Sequence, residues 1–372
     1  MAGIYVHVPF CKQKCSYCDF ASFPKEVGKK EAYFACLYKE LKGRSETLKG
    51  KKFDTIYFGG GTPSFVEPKY IYGALNQIFS CFNVDKNAEI TLEVNPGTID
   101  EDKPKVYKNA GINRFSIGLQ TANENTLYQI NRIHNVSDFE RAVELLQGYN
   151  LSVDVMLGLP GETEIDVKNT IDLATRSESV KHVSVYALKA EEGTPMFTRY
   201  LNGELPSDDE VRDLYDFAVS YLAKKGFNRY EVSNFCKDGY ESQHNLNYWK
   251  RGEYIGVGVG ASSFIDNRRF TNTESIDEYV HAILSGKVAE VFSETVEDFD
   301  AKAEFTMLAM RTKFGVDIKK YQTTFNSSFE KDFEYALKKN SKYLEFTENN
   351  VKIKDEYLYV QNSILVDFIT EK

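Results

Sequence analysis

The sequence predicts an α/β fold: a partial TIM-type barrel of six βα units, followed by a small α+β module. Six strand-like runs alternate with helical patterns over the first 190 residues. The first five of these runs are each followed by polar or glycine-rich residues. The alternation stops after about residue 190, and a pattern of helices with one short hairpin begins near residue 290. Together these observations predict one barrel-like unit and one smaller unit.

The six predicted strands are apolar on both sides, as is typical of buried parallel strands. They cover residues 4–8, 55–60, 90–95, 114–120, 152–160 and 182–188. Helical patterns fill the intervals near 30–47, 67–81, 101–110, 123–131, 136–148 and 164–177. Strands and helices that alternate this regularly predict a parallel sheet with right-handed crossovers.

Unusual residues stand where these strands end. A cysteine-rich loop follows the first strand, GGGTP the second, EVNPG the third and LPGET the fifth, while the fourth ends in LQ. In α/β barrels the active site lies at the carboxyl ends of the strands. The sequence therefore predicts a single site at that end of the barrel.

The middle of the chain is less regular. A helix is predicted over 208–225, because Ser207 followed by Asp208 and Asp209 is a typical helix start. A strand, RYEVSNF, is predicted over 229–235. The motif HNLNYW and a glycine-rich run, YIGVGVGASSF, follow.

The end of the chain predicts a separate α+β module. Helices are expected near 297–312 and 326–340, and the segment 343–361 has the pattern of a hairpin that leads into a last helix. Helices with such a hairpin resemble a winged-helix fold. We therefore expect a barrel over residues 1–235, a connector over 236–290 that carries HNLNYW, and a winged-helix-like domain over 291–372.

Composition excludes some classes of function. The chain has 372 residues, of which 42 % are hydrophobic, and a formal net charge of −9. A nucleic-acid-binding protein would show a basic face, so no nucleic-acid partner is expected. Residues 3–10 have a strand pattern rather than that of a signal peptide, and no apolar run is long enough to span a bilayer. A cytoplasmic location is expected, with peripheral membrane association left open.

Three cysteines near the start constrain function most. Cys11, Cys15 and Cys18 form a C-x-x-x-C-x-x-C pattern in one short loop. A [4Fe–4S] cluster normally takes four cysteine ligands. Three ligands leave one iron with an open position, where a substrate or cofactor can coordinate.

A zinc site and a disulfide framework both fit the three cysteines less well. Structural zinc sites usually need four ligands, often as two cysteine pairs, and no second pair exists here. A disulfide framework is not expected in a long chain with six cysteines and no secretion signal. The remaining cysteines, Cys36, Cys81 and Cys236, are isolated in the sequence.

The three cysteines, followed by GGGTP at 59–63 after the next strand, resemble the radical S-adenosylmethionine (SAM) superfamily. Further motifs extend the resemblance to the oxygen-independent coproporphyrinogen III oxidase group and to the haem chaperones related to it. These motifs are YVHVPFC, EVNPG, RFSIGLQ, INRIHN and DVMLGLPGET. The resemblance implies a [4Fe–4S] cluster, SAM at its open iron, and an electron donor such as flavodoxin or ferredoxin.

The resemblance also implies roles for individual residues. Cys11, Cys15 and Cys18 would be the metal ligands. A first SAM site would contain Tyr5, Tyr17, Gly59, Gly60, Gly61, Thr62, Glu93 and a backbone contact at Ala187. Gln120, Arg132 and Asp154 match a second SAM site of the coproporphyrinogen enzymes. Structural alternatives remain open: the glycines could form a tight turn, and the two carboxylates could be buried ion-pair partners of arginine.

Three features separate the two kinds of relative. The oxidases have a further cysteine where this chain has Phe20, and they carry an extension before the cluster loop that is not expected here. HNLNYW matches the H-N-x-x-Y-W motif of the haem-binding relatives. The resemblance implies His244 as a haem ligand, with Tyr248 and Trp249 packing on the macrocycle, although a structural histidine is the alternative.

The expected function is therefore a haem chaperone that passes haem to acceptor proteins. The alternative is a coproporphyrinogen III oxidase that decarboxylates propionates by means of a 5′-deoxyadenosyl radical.

Overall fold

One twelve-stranded sheet organises most of the chain. The structure is a computed structural model that describes residues 2–370. The six strands predicted from the sequence are all present, and they lie side by side in chain order. They are Ala2–Val8 (β1), Lys52–Gly60 (β2), Asn83–Val94 (β3), Arg114–Gln120 (β4), Asn150–Leu157 (β5) and Val180–Ala187 (β6).

The helices between these strands also follow the prediction. They are Lys30–Thr47 (α1), Pro68–Cys81 (α2), Lys103–Ala110 (α3), Glu124–Gln129 (α4), Val136–Leu145 (α5) and Glu164–Ala174 (α6). Successive strands pair in parallel. The predicted α/β partial barrel is thus confirmed, and all six carboxyl ends lie at the same end of the sheet.

The sheet extends beyond β1 in a way that the sequence did not predict. A seventh parallel strand pairs with β1, and three antiparallel strands continue from it. These are Glu253–Val257 (β9), Ser262–Ile265 (β10), Arg268–Asn272 (β11) and Glu290–Thr295 (β12). Residues 253–295 therefore continue the barrel sheet itself, and the predicted domain boundaries at 235 and 290 remain predictions.

The strand predicted over 229–235 is wrong as one element. Two short strands, Asn228–Arg229 (β7) and Asn234–Cys236 (β8), form the other end of the sheet instead. The turn between them pairs with another part of the chain, because Glu231 forms a β-bridge with Thr312. Because of this long-range pairing, residues 230–233 do not continue either strand of the sheet.

The other helices before residue 290 are Pro195–Leu201 (α7), Asp208–Lys224 (α8), Gln243–Trp249 (α9) and Ile276–Leu284 (α10). Helix α8 begins where the sequence predicted, since Ser207 and Glu210 form a reciprocal capping box. Helix α9 carries HNLNYW.

Helices pack on the sheet through large apolar side chains. Helix α1 buries Phe34, Leu37 and Leu41. The ring of Phe34 stacks on Tyr70 of α2, with ring centroids 4.5 Å apart. Burial of each such side chain contributes about 1.5–3 kcal/mol, so this layer holds the strands at fixed positions under the site.

The C-terminal module has its own core, which includes Phe305, Tyr321 and Phe333. The hairpin predicted there is present, but the helix predicted over 326–340 is divided into short segments. The elements are Asp298–Met310 (α11), Val316–Asp317 (β13), Ile318–Phe325 (α12), Phe329–Asp332 (α13), Glu334–Lys339 (α14), Leu344–Phe346 (β14), Asn350–Ile353 (β15) and Gln361–Leu365 (α15). The division falls at Phe333, whose φ of −119° and ψ of 26° are not helical, and Asn326, with a left-handed φ of 49°, separates α12 from these segments. Among residues 2–370, no helix has the length and apolar character needed to cross a membrane.

Candidate functional site

A cavity of about 390 Å³ opens at the carboxyl ends of the parallel strands. It brings together most of the residues predicted as a site. Eleven of them line it: Cys11, Cys15, Tyr17, Cys18, Gly60, Gly61, Thr62, Glu93, Gln120, Arg132 and Asp154. They come from five strand ends and the loops that follow, so only the fold brings them together.

The three cysteines lie at this cavity with their sulfur atoms hydrogen-bonded. Thr62 Oγ1 donates to Cys11 Sγ at 3.4 Å, Arg132 Nη1 lies 3.5 Å from Cys15 Sγ, and Ser22 Oγ lies 3.8 Å from Cys18 Sγ. Hydrogen bonds to sulfur are a feature of iron–sulfur sites. Burial raises the pKa of the Cys11 and Cys18 thiols, so ligation would depend on the positive charge of a metal to hold the thiolates.

The number of these thiols indicates which kind of metal group they could bind. Within residues 2–370, no three cysteine, histidine or carboxylate side chains form a group suited to a single metal ion. In a [4Fe–4S] cluster each thiolate binds a different iron, so three cysteines that line one cavity fit that group by their number and ligand type.

The cysteine loop is held by the segment after α4. The backbone N–H of Ser16 donates to the Ile130 carbonyl at 3.1 Å, and the Asn131 side-chain amide donates to the Lys14 carbonyl at 2.8 Å. Asn131 adopts a left-handed φ of 61°, which asparagine tolerates better than most residues. The INRIHN motif therefore fixes the position of the loop.

Strand β1 holds the other end of the loop through a buried histidine. His7 Nε2 lies 2.8 Å from the Ala21 carbonyl, and the Tyr5 hydroxyl lies 3.1 Å from His7 Nδ1. Because a carbonyl can only accept, Nε2 carries the proton and Nδ1 accepts from Tyr5. Burial lowers the pKa of His7 to about 4, so the ring is neutral.

The glycine loop after β2 approaches β1 too closely for side chains. Gly60 has a φ of 108°, and a Cβ there would lie 2.5 Å from the His7 ring. The backbone N–H of Gly61 donates to the Val8 carbonyl at 2.8 Å. The tight turn at Gly60 and Gly61 therefore also forms part of the cavity wall. Gly59 lies inside β2, outside the cavity wall.

Two partly buried carboxylates face the cavity. The Tyr57 hydroxyl donates to Glu93 at 2.8 Å, and the Ser116 hydroxyl donates to Asp154 at 3.1 Å. Burial raises the pKa of Glu93 to about 7, and burial also raises the pKa of Asp154. Both carboxylates thus have hydroxyl partners, and the nearby buried Arg114 makes its ion pair with Glu89 at 3.9 Å.

Strand β4 ends in a strained turn that aims two polar side chains at the cavity. Gln120 has a φ of 71°, which is uncommon for a residue other than glycine and costs of order 1–3 kcal/mol. Arg132 Nη2 donates to the Gly118 carbonyl at 2.7 Å. Its buried Nε has no hydrogen-bond partner in the described structure. An unpartnered guanidinium nitrogen at a cavity with strained walls fits a site that holds an additional polar group.

Sequence reasoning missed several residues that line the cavity, including Tyr57, Ser116 and Tyr186. Some of them could have been identified from the alternation of side chains along a strand, which has a period of two residues. Ser116 stands two residues before Gly118 and four before Gln120, so all three share one face of β4. Tyr57 lies in β2, three residues before Gly60 of the glycine loop.

Four predicted residues do not line this cavity. Gly59 lies just behind the wall, with an added Cβ there 3.1 Å from Glu93 Oε1. Tyr5 lines a second, neighbouring cavity. Ala187 is exposed at the end of β6, opposite Leu157 of β5.

The fourth, His244, lies in the core, with 1 % of its surface exposed. Its Nδ1 is 2.8 Å from the Thr55 hydroxyl and its Nε2 is 2.8 Å from the Tyr248 hydroxyl. The ring stacks on Tyr57 at 5.1 Å, and burial lowers its pKa to about 3. Both nitrogens are therefore used, and the ring would have to leave the core to reach an iron. Haem ligation by His244 remains a prediction that this geometry does not favour.

Helix α9 is fixed in this position by a partly buried carboxylate. Glu89 of β3 accepts from the backbone N–H groups of Gln243 and His244, at 3.2 and 3.0 Å. A carboxylate at a helix N-terminus is favourable because it accepts from N–H groups that have no partner within the helix. The motif helix is thus attached to the base of the parallel sheet.

The fold and the three-cysteine cavity together define a radical SAM protein. A family model described as the Radical SAM superfamily matches residues 5–174, which include the cysteine loop and β1–β5. The solved structure of coproporphyrinogen III oxidase (HemN) from Escherichia coli superposes with a TM-score of 0.87, over 99 % of this chain and 90 % of that chain. Its sequence identity is 19 %, so this likeness shows the fold alone.

Relatives with closer sequences identify the family within that class. The heme chaperone HemW of Lactococcus lactis is 32 % identical over 99 % of this chain and 97 % of its own length. HemW of Escherichia coli is 35 % identical over 83 % of this chain and 82 % of its own length. The chain therefore belongs to the HemW family.

Proposed function

We propose that this protein binds haem and transfers it to acceptor proteins, and that its radical SAM core holds a [4Fe–4S] cluster and SAM. The observation that carries the proposal is the similarity to heme chaperones along the whole chain, including 99 % of it in the Lactococcus lactis relative. Phe20, at the place of the further oxidase cysteine, agrees with it.

The cavity at the strand ends supports the choice of cofactors. Cys11, Cys15 and Cys18 would bind three irons and leave the fourth for SAM. When bound, the cluster and SAM supply reductive cleavage of the sulfonium bond, which gives a 5′-deoxyadenosyl radical. Tyr17 and Thr62 would position the cofactor from the cysteine side of the cavity.

The opposite walls would bind the polar groups of SAM. Glu93 would accept a hydrogen bond from SAM, and Asp154 would belong with Arg132 to a second SAM site, because all three residues line the cavity. Arg132 would donate from the Nε that has no partner. The burial of these groups strengthens each of these contacts relative to water.

The partners follow from the same proposal. An electron-donor protein such as flavodoxin or ferredoxin would reduce the cluster, and apo haem proteins would take up the haem. A reducing compartment, the cytoplasm, suits a chain whose six cysteines are all free.

A haem-transfer experiment tests the proposal. The protein, with its cluster reconstituted anaerobically, is titrated with haem and followed at the Soret band. The haem-loaded protein is then mixed with an apo haem protein. We expect saturable binding of one haem, followed by transfer faster than haem released by a passive carrier such as serum albumin. Absence of saturable binding would contradict the proposal.

A further inference from the structure

A second cavity, of about 550 Å³, lies beside the cysteine cavity. It is bounded by α9, the strands β9–β11 and the start of the C-terminal module. Asp19 and Phe20 of the cysteine loop line both cavities. The volume is within the range of cofactor sites, which is about 300–1,000 Å³.

The walls of this cavity are rich in aromatic rings. Phe20, Tyr248, Tyr254 and Phe264 all line it. The rings of Tyr248 and Tyr254 make an edge-to-face contact, with centroids 4.6 Å apart, so their planes are fixed. Phe20 is 63 % exposed, which is unusual for a phenylalanine that no ligand covers. Such walls suit a large, flat, apolar ligand.

Arg251 adds a cation whose hydrogen bonds are incomplete. Only 8 % of its side-chain surface is exposed. Its Nε donates to Glu304 at 2.8 Å and its Nη1 to Asn267 at 3.0 Å, but the buried Nη2 has no partner in the described structure. Its backbone has a left-handed φ of 52°, a conformation that costs free energy in any residue other than glycine. A buried, unpartnered guanidinium nitrogen at a cavity is suited to bind a carboxylate.

The other charged residues at this cavity do not prevent Arg251 from binding a carboxylate. Glu304 is shared, because it pairs with both Arg251 and Arg269. Asp19 and Glu274 also line the cavity, but both are exposed to solvent, where water and salt screen their charge. The interior therefore offers rings and one guanidinium nitrogen without a partner in the described structure, while the carboxylates of Asp19 and Glu274 are in contact with solvent.

We propose that this second cavity is the haem site, with the macrocycle against the rings of Tyr248, Tyr254 and Phe20, and one propionate bound by Arg251. The inference rests on the proposed function and assigns it a place. Tyr248 is then the residue of HNLNYW that contacts haem, and His244 hydrogen-bonds to the Tyr248 hydroxyl from the side of the barrel core. The C-terminal module completes the site through Glu304, which fixes the arginine.

The test combines a variant with a change in the ligand. The full-length protein, with its cluster reconstituted, is titrated with haem and with haem whose two propionates are methyl esters. Wild type should bind the ester about ten- to a hundredfold more weakly, because the ester removes a charge-assisted hydrogen bond. Arg251→Gln should bind haem more weakly by a similar factor and should no longer distinguish the two ligands. Arg268→Gln changes an exposed arginine of β11 that pairs with Glu290 and does not line the cavity, so it is the matched control and should behave as wild type.

Loss of the discrimination between haem and its ester distinguishes an effect on ligand binding from an effect on stability. A protein that is only destabilised would bind both ligands more weakly by the same factor. If Arg251→Gln does not fold, the wild-type comparison alone decides. Equal affinity of wild type for haem and its ester, or unchanged discrimination in Arg251→Gln, overturns the site while leaving haem binding intact. Failure of wild type to bind either ligand overturns the proposed function as well.

Discussion

The hydroxyl of Tyr248 lies 2.8 Å from Nε2 of His244, so the histidine and the tyrosine of HNLNYW are hydrogen-bonded to each other. The tyrosine ring reaches the aromatic cavity, whereas the histidine faces Thr55 in the sheet. One turn of α9 separates the two residues along the helix, which is why they can bond. The motif thus links the cavity to the barrel core.

Replacement of His244 tests this arrangement. His244→Asn should lower the free energy of unfolding by about 2–4 kcal/mol, because it removes a packed ring and leaves two buried hydroxyls without a partner. The Soret maximum of the haem complex should stay where it is in wild type. Urea unfolding and a haem titration measure these two quantities. His281→Asn, at an exposed position of α10, is the control and should change neither. A shifted Soret maximum in folded His244→Asn would show that the histidine does bind iron.

The cysteine triad is tested by iron content. Cys15→Ser should lose most of its iron and its visible absorption after reconstitution, because one of three ligands is removed. Cys81→Ser changes a free cysteine on α2, away from the cavity, and should retain wild-type iron. Equal iron in both variants would contradict the assignment of the cluster loop.

Gly118 tests the wall formed by β4. A Cβ at this position would lie 2.8 Å from Gln120 Nε2 and 3.0 Å from Arg132 Nη2. Both atoms are ends of flexible side chains, so Gly118→Ala should displace them with little loss of stability. SAM binding should weaken by about tenfold or more, measured by isothermal titration.

The control for that variant is Gly43→Ala, in the exposed middle of α1, where a Cβ meets nothing within 4 Å. It should stabilise the protein by about 0.5–1 kcal/mol and leave SAM binding unchanged. Unchanged SAM binding in Gly118→Ala would argue against a role for Arg132 and Gln120.

Glu231 predicts a dependence of stability on pH. Burial raises its pKa from 4.5 to about 7, an effect only partly offset by the hydrogen bond from the Ser233 N–H. The folded state therefore binds more protons than the unfolded state between these values, so this group's contribution falls as pH rises from about 4.5 to about 7. Above about pH 7 the contribution of this group to stability is lost completely.

Glu231→Gln should reduce this decline, since the amide does not titrate. Urea unfolding of wild type and variant at several pH values between about 5 and about 8 measures this decline. Glu348→Gln, at an exposed position, should keep the wild-type slope. An identical slope in Glu231→Gln would mean that Glu231 is ionised in the folded protein throughout that range.

Local patterns were sufficient to predict the six parallel strands and the cysteine loop. The spacing of Cys11, Cys15 and Cys18 is local, and the strand ends follow from alternation and polarity. The strand β9 was missed because Gly256 within it and the glycines that follow Val257 interrupt its strand pattern, and because it pairs with β1, about 250 residues earlier in the chain.

The positions of polar side chains depended on contacts that no local pattern contains. The motif predicted His244 as an iron ligand, but Thr55 and Glu89, from two other strands, hold it and its helix in the core. The unpartnered nitrogen of Arg251 is visible only when its neighbours Glu304 and Asn267 are known. The sequence therefore predicted the lining of the cysteine cavity better than that of the neighbouring aromatic cavity.

A single anaerobic assay separates haem carrier from porphyrinogen enzyme. The reconstituted protein receives SAM, a reductant, haem and coproporphyrinogen III together, and an apo haem protein is then added. We expect haem to move to the apo protein, with no protoporphyrinogen formed and no carbon dioxide released above the level of a Cys15→Ser control. Decarboxylation by wild type, with haem left untransferred, would contradict the assignment as a haem carrier.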